Sequence, residues 1–400
     1  MEKDKSPTKI LLVTTLSHVM QHIYVGSSVL LPLIIEELGL NYTEFGLAIA
    51  ASSLIGGLSQ IIFSVASRRI ARHILLGLGN ILLSAGTFLT GLSHKLLDFL
   101  FARLLSNVGV APQHPMGTAI VSESFDEKSL GRAIGIHYGL AYVGNIVGPV
   151  LMTSVAIALG WRNTLFIFSI PAFLVGLTVI WYLSERKRGK SEMKESLNET
   201  NLRSDILALI KTRGVILILA AQALFSGGID IGVLTTYIPI FLAGFLMMDI
   251  YERGVVYTIG LFGGVVGPII LGAYAGRAGY IKVSALSAFF ASIITYLLAF
   301  YKPGANGLLL ALHLFTLMFT AFSLPTLLQS QLVRVTSGYN RDLVVGLFFT
   351  SSFVFNSLWT GLIGYTIDAY ASFKPALIMM GTLGLIALAM LVIQNMKNVK

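Results

Sequence analysis

The stretch GIHYGLAYVGNIVGPVLMTSVAIALG, residues 135–160, contains no charged side chain and exceeds the ~20 apolar residues that cross a bilayer as one helix. The rest of the chain has the same character. Of its 400 residues 55% are hydrophobic and 12% are charged, whereas soluble domains have about 45–50% and about 25%. The mean hydropathy is +0.80. This composition excludes a soluble protein and predicts an integral membrane protein that lies in the lipid bilayer.

Outward from this run, the chain divides into apolar segments of spanning length, six on each side of one charged stretch. The first six cover residues 10–38, 43–66, 74–93, 98–122, 132–158 and 163–183, and the second six cover residues 214–243, 254–275, 282–301, 307–333, 343–367 and 375–396. We therefore predict an all-α membrane protein with 12 transmembrane helices in two pseudo-symmetric six-helix halves, residues 1–183 and 214–400. Residues 184–213 are predicted to be a cytoplasmic charged linker.

The basic residues are distributed asymmetrically about these spans. Lys and Arg concentrate in the N-terminal tail, the linker and the loops on the same side, whereas the opposite loops hold only Lys95, Arg162, Arg253, Lys302 and Lys374. Cytoplasmic loops carry an excess of Lys and Arg. The pattern predicts a multi-pass protein of the cell (plasma) membrane with both termini in the cytoplasm. It also accounts for the net charge of +9 without a nucleic-acid partner.

Several classes of protein are excluded by what the sequence lacks. It has no cysteine, so it forms no disulfide and no thiolate metal site. It also lacks a P-loop, a G-x-S-x-G motif and a zinc signature. We therefore expect no enzyme activity, no metal, no cofactor and no direct use of ATP.

The two halves repeat one another at an offset of about 208 residues. The matching pairs are Pro32 with Pro239, Arg69 with Arg277, Pro115 with Pro325, and Asn145 with Asn356. A near-constant offset through the whole chain indicates a duplicated unit of six helices. Two such parallel repeats are the architecture of alternating-access carriers.

Over essentially its whole length the chain resembles the major facilitator superfamily. That family has a G-x-L-A-D-R-x-G-R-R loop after its second span; residues 64–73 read SVASRRIARH and the second copy, residues 272–281, reads GAYAGRAGYI. Both copies keep the arginine, at Arg69 and Arg277, and both lack the aspartate. The resemblance implies a transporter fold, a conformational role for the two arginines, and a monomer.

Spans four and five carry further motif positions. Residues 103–109 resemble the family's R-x5-G element, and residues 135, 144, 148 and 149 follow its G-x8-G-x3-G-P pattern. Together with His114-Pro115, this fifth span looks most like that of fosmidomycin-resistance-type exporters and drug:proton antiporters. The resemblance implies proton-coupled efflux, with Gly144, Gly148 and Pro149 in conformational roles. Small residues let helices approach closely, which suits such roles.

Ionisable groups at membrane depth are costly and usually face a cavity or a partner, so they are the candidate site residues. In span four, Arg103, Asn107 and His114 share one stripe of a 3.6-residue helix. We interpret them as a cationic wall for an anionic or polar substrate, with Arg103 also acting in proton coupling. The alternative is that Arg103 extends its charge to the membrane surface.

In span seven, Gln222, Ser226, Asp230 and Tyr237 fall on one face. Asp230 is the acid that lies deepest in the predicted spans. Burial favours the protonated form of a carboxyl group, so Asp230 is the candidate for proton coupling. The alternative is a structural hydrogen bond to an opposing helix.

Histidines and aromatic residues complete the candidate set. His18 and His22 lie one turn apart in span one, where they either relay protons and bind substrate or pack between helices; His22 is also a candidate for proton coupling. The remaining candidates for substrate binding, on spans five, seven, ten and eleven, are Tyr138, Tyr142 and Asn145 (with His137 beside them), Tyr237, His313, Asn356 and Trp359.

These observations predict a secondary active transporter that moves a small organic solute by alternating access. Because the predicted spans hold several histidines and one arginine but only one deeply placed acid, we expect an anionic or polar substrate rather than a cationic drug. The resemblance of span five leads us to expect proton-coupled efflux. The alternative is an uptake symporter or a facilitator for an organic anion or a sugar on the same scaffold. A receptor is disfavoured because both halves carry a polar set at membrane depth, and a passive channel is disfavoured because these polar residues do not form a repeated ring.

Overall fold

The computed structural model describes residues 6–67, 69–125, 127–183, 202–336 and 341–399, and in these ranges the regular structure is helical. The first helices are α1 (Pro7–Val25), a 3-10 turn (Gly26–Leu30), α2 (Leu31–Leu38), α3 (Tyr42–Ala66), α4 (Arg72–Gly91), α5 (Leu96–Val110), a π-helical turn (Gln113–Gly117), α6 (Thr118–Ser122) and α7 (Glu127–Tyr182). They are followed by α8 (Leu202–Lys211), α9 (Val215–Phe225), α10 (Ile231–Ile240), a π-helical turn (Phe241–Phe245), α11 (Ile250–Ala278), α12 (Tyr280–Leu298), α13 (Gly307–Ala321), α14 (Ser323–Val335), α15 (Arg341–Tyr370) and α16 (Phe373–Val399). Most of the predicted linker, residues 184–201, lies outside the described residues.

The chain groups into two compact units. Unit 1 comprises Met1–Leu30 and Ala51–Asn198, and unit 2 comprises Leu31–Ala50 and Glu199–Lys400. Residues 31–50 therefore pack with the second unit, whereas the sequence places them in the first predicted half.

Nine helical segments of the described chain are long and apolar enough to cross a membrane. One of them, Gly139–Tyr182, covers most of the predicted spans five and six. These two spans join at Gly160, whose φ of 80° and ψ of 162° lie outside the helical region. Glycine adopts a positive φ without steric cost, so the chain turns there with almost no loop.

Predicted spans four and seven are built differently, because each is an interrupted helix. Span four consists of α5, the π-helical turn at residues 113–117, and α6. Pro115 lies in this turn and has no N–H with which to continue an α-helix. In span seven, α9 ends at Phe225 and α10 begins at Ile231. Gly227 and Gly228, which have low helix propensity, lie in the break.

The helices of unit 1 pack closely at glycines, which have no side chain to hold the backbones apart. The main contacts join α1 to α7, α4 to α7, and α4 to α5. A Cβ atom on Gly148 would lie 2.7 Å from the carbonyl oxygen of Ile23, and one on Gly144 would lie 2.8 Å from that of Val19. These distances are too short for any side chain, so the glycines bring α7 against the backbone of α1.

In unit 2, α11 packs on α13 and α12 packs on α16. The outward-facing side chains of both units are apolar: Trp181 is 75% exposed and Leu308 is 70% exposed. Polar residues such as Ser17, Asn80 and Gln222 are buried. Apolar side chains outside and hydrogen-bonded polar groups inside are the arrangement that a hydrocarbon environment requires.

Candidate functional site

Four histidines of unit 1 form one cluster. His18 and His22 belong to α1, His114 belongs to the π-helical turn at residues 113–117, and His137 belongs to α7. The centroid of the His18 ring lies 4.9 Å from that of His22, 5.3 Å from that of His114 and 4.7 Å from that of His137. The π-helical turn places His114 beside α1. We call these four residues the histidine cluster.

Two hydrogen bonds join His137 to α1. Its Nδ1 lies 3.0 Å from Thr15 Oγ1, and its Nε2 lies 3.1 Å from His18 Nδ1. His22 Nδ1–H donates to Asn145 Oδ1 at 2.8 Å. His18 and His137 are each 1% exposed. The sequence-predicted residues His18, His22, His114 and Asn145 are thus brought together, and His137 is central among them.

The histidine cluster borders on buried amides that also hold α1 in place. Ser17 Oγ donates to Gln113 Oε1 at 2.6 Å, and Asn80 Nδ2 donates to Ser17 Oγ at 2.7 Å. The Gln113 Nε2 atom is buried and has no hydrogen-bond partner within the described chain. An amide N–H without a partner at this depth is a group that a substrate oxygen can satisfy.

The other predicted residues of spans four and five each have different contacts. The Arg103 guanidinium carbon lies 5.0 Å from the centroid of the Tyr24 ring, and its buried Nε has no hydrogen-bond partner in the described structure. Asn107 donates to the carbonyl oxygen of Arg103 on its own helix. The Tyr142 ring lies 5.2 Å from that of His22. The side chain of Tyr138 lies outside the described residues.

Unit 2 contains a second polar cluster at the break between α9 and α10. Gln222 Nε2 donates to Ser352 Oγ at 3.0 Å and lies 3.4 Å from Asp230 Oδ1. Ser226 Oγ lies 3.2 Å from Ser352 Oγ, and Asn356 Nδ2 donates to the carbonyl oxygen of Ser226. Gln222 and Ser226 are fully buried. The predicted face of span seven is therefore present up to Asp230.

Asp230 is the N-cap of α10. Its backbone is extended and its side chain accepts from the backbone N–H of Gly232 at 3.3 Å. A carboxylate at this position satisfies one of the free N–H groups of the first helical turn. The structure thus gives Asp230 a structural role at the break.

Three further predicted residues make hydrogen bonds to groups that are not members of this polar cluster. Tyr237 donates to the carbonyl oxygen of Thr360 at 2.5 Å, and Trp359 donates to that of Ala223 at 2.9 Å. His313 Nδ1 lies 2.7 Å from the hydroxyl group of Tyr301, near the end of α12. These contacts hold helices of unit 2 together.

The predicted conformational residues are found on the surface and in the α1–α7 contact. Arg69 and Arg277 are exposed. Gly144 and Gly148 contact α1, and a Cβ atom on Gly26 would lie 2.7 Å from Pro149 Cδ. Arg72, the first residue of α4 after this loop, forms an ion pair with Glu123.

Sequence reasoning missed the role of His137 and misplaced Arg253. His137 lies on the same stripe of α7 as Gly144 and Gly148, which face α1, and that register was the available signal. Arg253 was assigned to an outside loop; it lies within α11 and is 7% exposed, because α11 begins already at Ile250. No group of three or more His, Asp or Glu side chains that could hold a metal ion is found in the part of the chain that the structure describes.

Comparison with known proteins identifies related transporters. The model of the family described as Major Facilitator Superfamily matches residues 11–360. The chain is 25% identical over 369 residues to the probable L-galactonate transporter of Escherichia coli (strain K12), covering 86% of this chain and 80% of that protein. It is 21% identical over 405 residues to the hexuronate transporter of Bacillus subtilis (strain 168), covering 96% and 93%.

A solved structure has the same fold. The crystal structure of nucleoside transporter NupG superimposes with a TM-score of 0.78, covering 97% of this chain and 98% of that chain, at 11% sequence identity. The predicted all-helical membrane fold is thereby confirmed.

Proposed function

Because the chain belongs to the Major Facilitator Superfamily, it is a multi-pass membrane transporter of small molecules and not an enzyme, and we propose that its substrate is a small organic anion of the sugar-acid class. The observation that carries this proposal is the histidine cluster with its bordering amides in unit 1. Imidazole and amide N–H groups are suited to a carboxylate and to several hydroxyl groups. A cationic substrate would need a carboxylate there instead.

Two further observations support an anion. Among the described residues, the imidazole rings that contact His18 are those of His22, His114 and His137, and each of them is a potential cation. Galactonate and hexuronate, the compounds named for two relatives, are sugars that carry a carboxylate. Arg103 supplies the fixed positive charge that this class of substrate requires.

We further propose secondary transport by alternating access, driven by protons that enter with the anion. This symport is favoured because titratable imidazoles and the proposed carboxylate site belong to one cluster. We also propose that the protein is a monomer, as its resemblance to the superfamily implies. On the distribution of Lys and Arg, we propose that it lies in the plasma membrane with both termini in the cytoplasm.

Proton-coupled efflux of an anionic or polar compound is the second candidate, and the glycine pattern of span five favours it through its resemblance to fosmidomycin-resistance-type exporters and drug:proton antiporters. Two of these glycines, Gly144 and Gly148, contact the backbone of α1. Helix packing therefore accounts for them whichever way the substrate moves.

The test is transport by the purified protein in liposomes. Labelled galactonate and glucuronate are compared with xylose, a nucleoside and a cationic dye, each with an inward or an outward proton gradient. We expect saturable uptake of the sugar acids that an inward proton gradient accelerates. Transport of the cationic dye with no transport of either sugar acid would contradict the proposal, and acceleration by the opposite gradient would favour efflux.

A further inference from the structure

We propose that the interruption of span seven is a binding site for one sodium ion, held by oxygen atoms of four side chains in the polar cluster of unit 2. These side chains are Gln222, Ser226, Asp230 and Ser352. The inference goes beyond the proposed function, whose transported ion is the proton. It does not depend on the identity of the substrate, because the ion is expected to bind to the protein alone.

The first argument is the charge of Asp230. Its side chain is 6% exposed, and among the residues that the structure describes no Lys, Arg or His forms an ion pair with it. The Gln222 amide lies 3.4 Å away and the backbone N–H of Gly232 donates at 3.3 Å, which are long distances for a carboxylate acceptor. A buried charge without a partner is strongly destabilising. A cation bound beside the carboxylate removes this cost.

The second argument is the position of Asp230 between two helices. α9 ends at Phe225 and α10 begins at Ile231. The C-terminal end of α9 is the negative end of its dipole, and the carboxylate of Asp230 adds negative charge at the start of α10. Interrupted helices within a membrane use such ends and their carbonyl groups to coordinate sodium ions and protons. The break in span seven is therefore suited to a cation.

The third argument is the spacing of the polar atoms. Ser226 Oγ lies 3.2 Å from Ser352 Oγ. Gln222 Nε2 lies 3.0 Å from Ser352 Oγ, 3.5 Å from Ser226 Oγ and 3.4 Å from Asp230 Oδ1. Adjacent ligands of an octahedral shell are separated by about 1.4 times the ion–oxygen distance, so these spacings fit an ion–oxygen distance of about 2.1–2.5 Å. That is the distance of a small cation that prefers oxygen ligands.

The amide of Gln222 supplies the fourth oxygen after a half-turn. Its Nε2 faces the three other oxygens, and its Oε1 is buried without a hydrogen-bond partner in the described structure. The oxygen and the nitrogen of an amide are nearly identical in shape, so a half-turn of the group exchanges their places. Oε1 then faces the ion. The hydroxyl group of Ser226 donates to the backbone carbonyl oxygen of Gln222, which directs the Ser226 lone pairs to the same ion.

The charge and the exposure of these four side chains select the ion and its route. Asp230 supplies one carboxylate and the other three oxygens are neutral, so a monovalent ion balances the charge, whereas calcium sites combine several carboxylates. Ser352 is half-buried and the other three side chains are buried. The ion therefore enters on the side of Ser352.

The experiment measures ion binding without substrate. Thermal unfolding of the detergent-purified protein is followed at constant pH and ionic strength, while sodium chloride is replaced stepwise by potassium chloride or choline chloride. Trp359 supplies a second signal. A Cβ atom on Gly227 in the break would lie 2.6 Å from its ring, and its Nε1–H donates to the carbonyl oxygen of Ala223 at 2.9 Å. The fluorescence of Trp359 is obtained as the difference between the wild type and Trp359→Phe.

Three variants locate the ion. Asp230→Asn removes the charge but keeps an acceptor for the backbone N–H of Gly232, and Ser352→Ala removes one ligand. Ser351→Ala is the matched control, because Ser351 precedes Ser352 on α15 and its hydroxyl group donates to the carbonyl oxygen of Phe348 on the same helix.

We expect sodium to raise the unfolding temperature of the wild type saturably and to change the fluorescence of Trp359 over the same concentrations, because an ion that binds the folded protein stabilises it. Potassium binds roughly tenfold or more weakly, since the spacing fits a smaller ion. Asp230→Asn loses roughly tenfold or more of the sodium affinity and Ser352→Ala roughly threefold or more. Ser351→Ala behaves as the wild type.

Equal unfolding temperatures and equal fluorescence in sodium, potassium and choline chloride would overturn the site. A sodium response in Asp230→Asn or in Ser352→Ala equal to that of the wild type would do the same, and Ser352→Ala decides alone if Asp230→Asn does not fold. A fluorescence change with pH that sodium leaves unaltered would show that Asp230 is paired with a proton instead. Because no substrate is present, each of these failures leaves the proposed sugar-acid transport unaffected.

Discussion

The carboxylate of Asp368 caps the N-terminus of α3 through Thr43. Asp368 Oδ2 accepts from the backbone N–H and from the hydroxyl group of Thr43, both at 2.6 Å, and Oδ1 accepts from the backbone N–H of Tyr42 at 3.1 Å. Asp368 lies near the end of α15, more than three hundred residues along the chain. A carboxylate at a helix N-terminus satisfies free N–H groups and interacts favourably with the helix dipole.

We therefore expect Asp368→Ala to lower the free energy of unfolding by about 1–2 kcal/mol, because three donors lose their acceptor. Thr43→Val, which removes one of these donors, costs less. The measurement is thermal unfolding of the detergent-purified protein. Thr366→Val on the same helix is the control, since the hydroxyl group of Thr366 bonds only to its own helix. An equal shift in Asp368→Ala and in the control would show that the cap contributes nothing.

Gly148→Ala tests the contact between α1 and α7. The added methyl group would lie 2.7 Å from the carbonyl oxygen of Ile23, so the helices must separate. We expect a loss of about 1–3 kcal/mol, in the range of overpacked cores, together with loss of transport. Gly139→Ala on the same helix is the matched control, because nothing lies within 4 Å of its added Cβ. Both variants are compared by size-exclusion chromatography after heating.

Asp230 is tested by a pair of substitutions. Asparagine retains an oxygen that can accept from Gly232, whereas alanine retains none. We expect Asp230→Asn to unfold at nearly the temperature of the wild type and Asp230→Ala to lose about 1 kcal/mol. Thermal unfolding distinguishes them. Equal destabilisation in both variants would mean that the negative charge, and not the cap, is what the fold requires.

Arg103→Gln removes the fixed positive charge proposed to attract the anion. We expect the KM for the sugar acid to rise roughly tenfold or more. The unfolding temperature should change little, because in the described structure the substitution removes one cation–π contact, that of Arg103 with the ring of Tyr24. Arg103→Lys keeps the charge and recovers part of the affinity. The control is Arg334→Gln, at an exposed position. An unchanged KM in Arg103→Gln would remove Arg103 from the substrate site.

The number and order of the membrane spans could be predicted from composition, because about 20 apolar residues suffice to identify each one. The interruptions in spans four and seven could not. A prediction from helical periodicity assumes a continuous repeat of 3.6 residues per turn. In the structure this repeat is interrupted, because Pro115 lies in a π-helical turn and Gly227 lies in the break between α9 and α10. For this reason the predicted stripe correctly joins Gln222, Ser226 and Asp230 but assigns Tyr237 to the wrong neighbours.

The candidate site was predicted in part for a similar reason. His18, His22, His114 and Asn145 were found because polar residues in apolar spans are conspicuous. His137 was named only as lying beside the stripe of Tyr138, Tyr142 and Asn145, whereas in the structure the packing of α7 against α1 brings its ring to His18. Arg253 was misplaced because the end of a span cannot be located from hydropathy to within one turn.

The hydrogen bonds among Ser17, Asn80 and Gln113 also form in a fixed order during biosynthesis. As the chain emerges from the ribosome, α1 and α4 enter the bilayer before residue 113 does. The amide of Asn80 can already donate to Ser17 at that stage, whereas the Ser17 hydroxyl group gains its acceptor, Gln113 Oε1, only later. The fourth span is therefore the last of the three to join, and its arrival completes the chain of hydrogen bonds from Asn80 through Ser17 to Gln113.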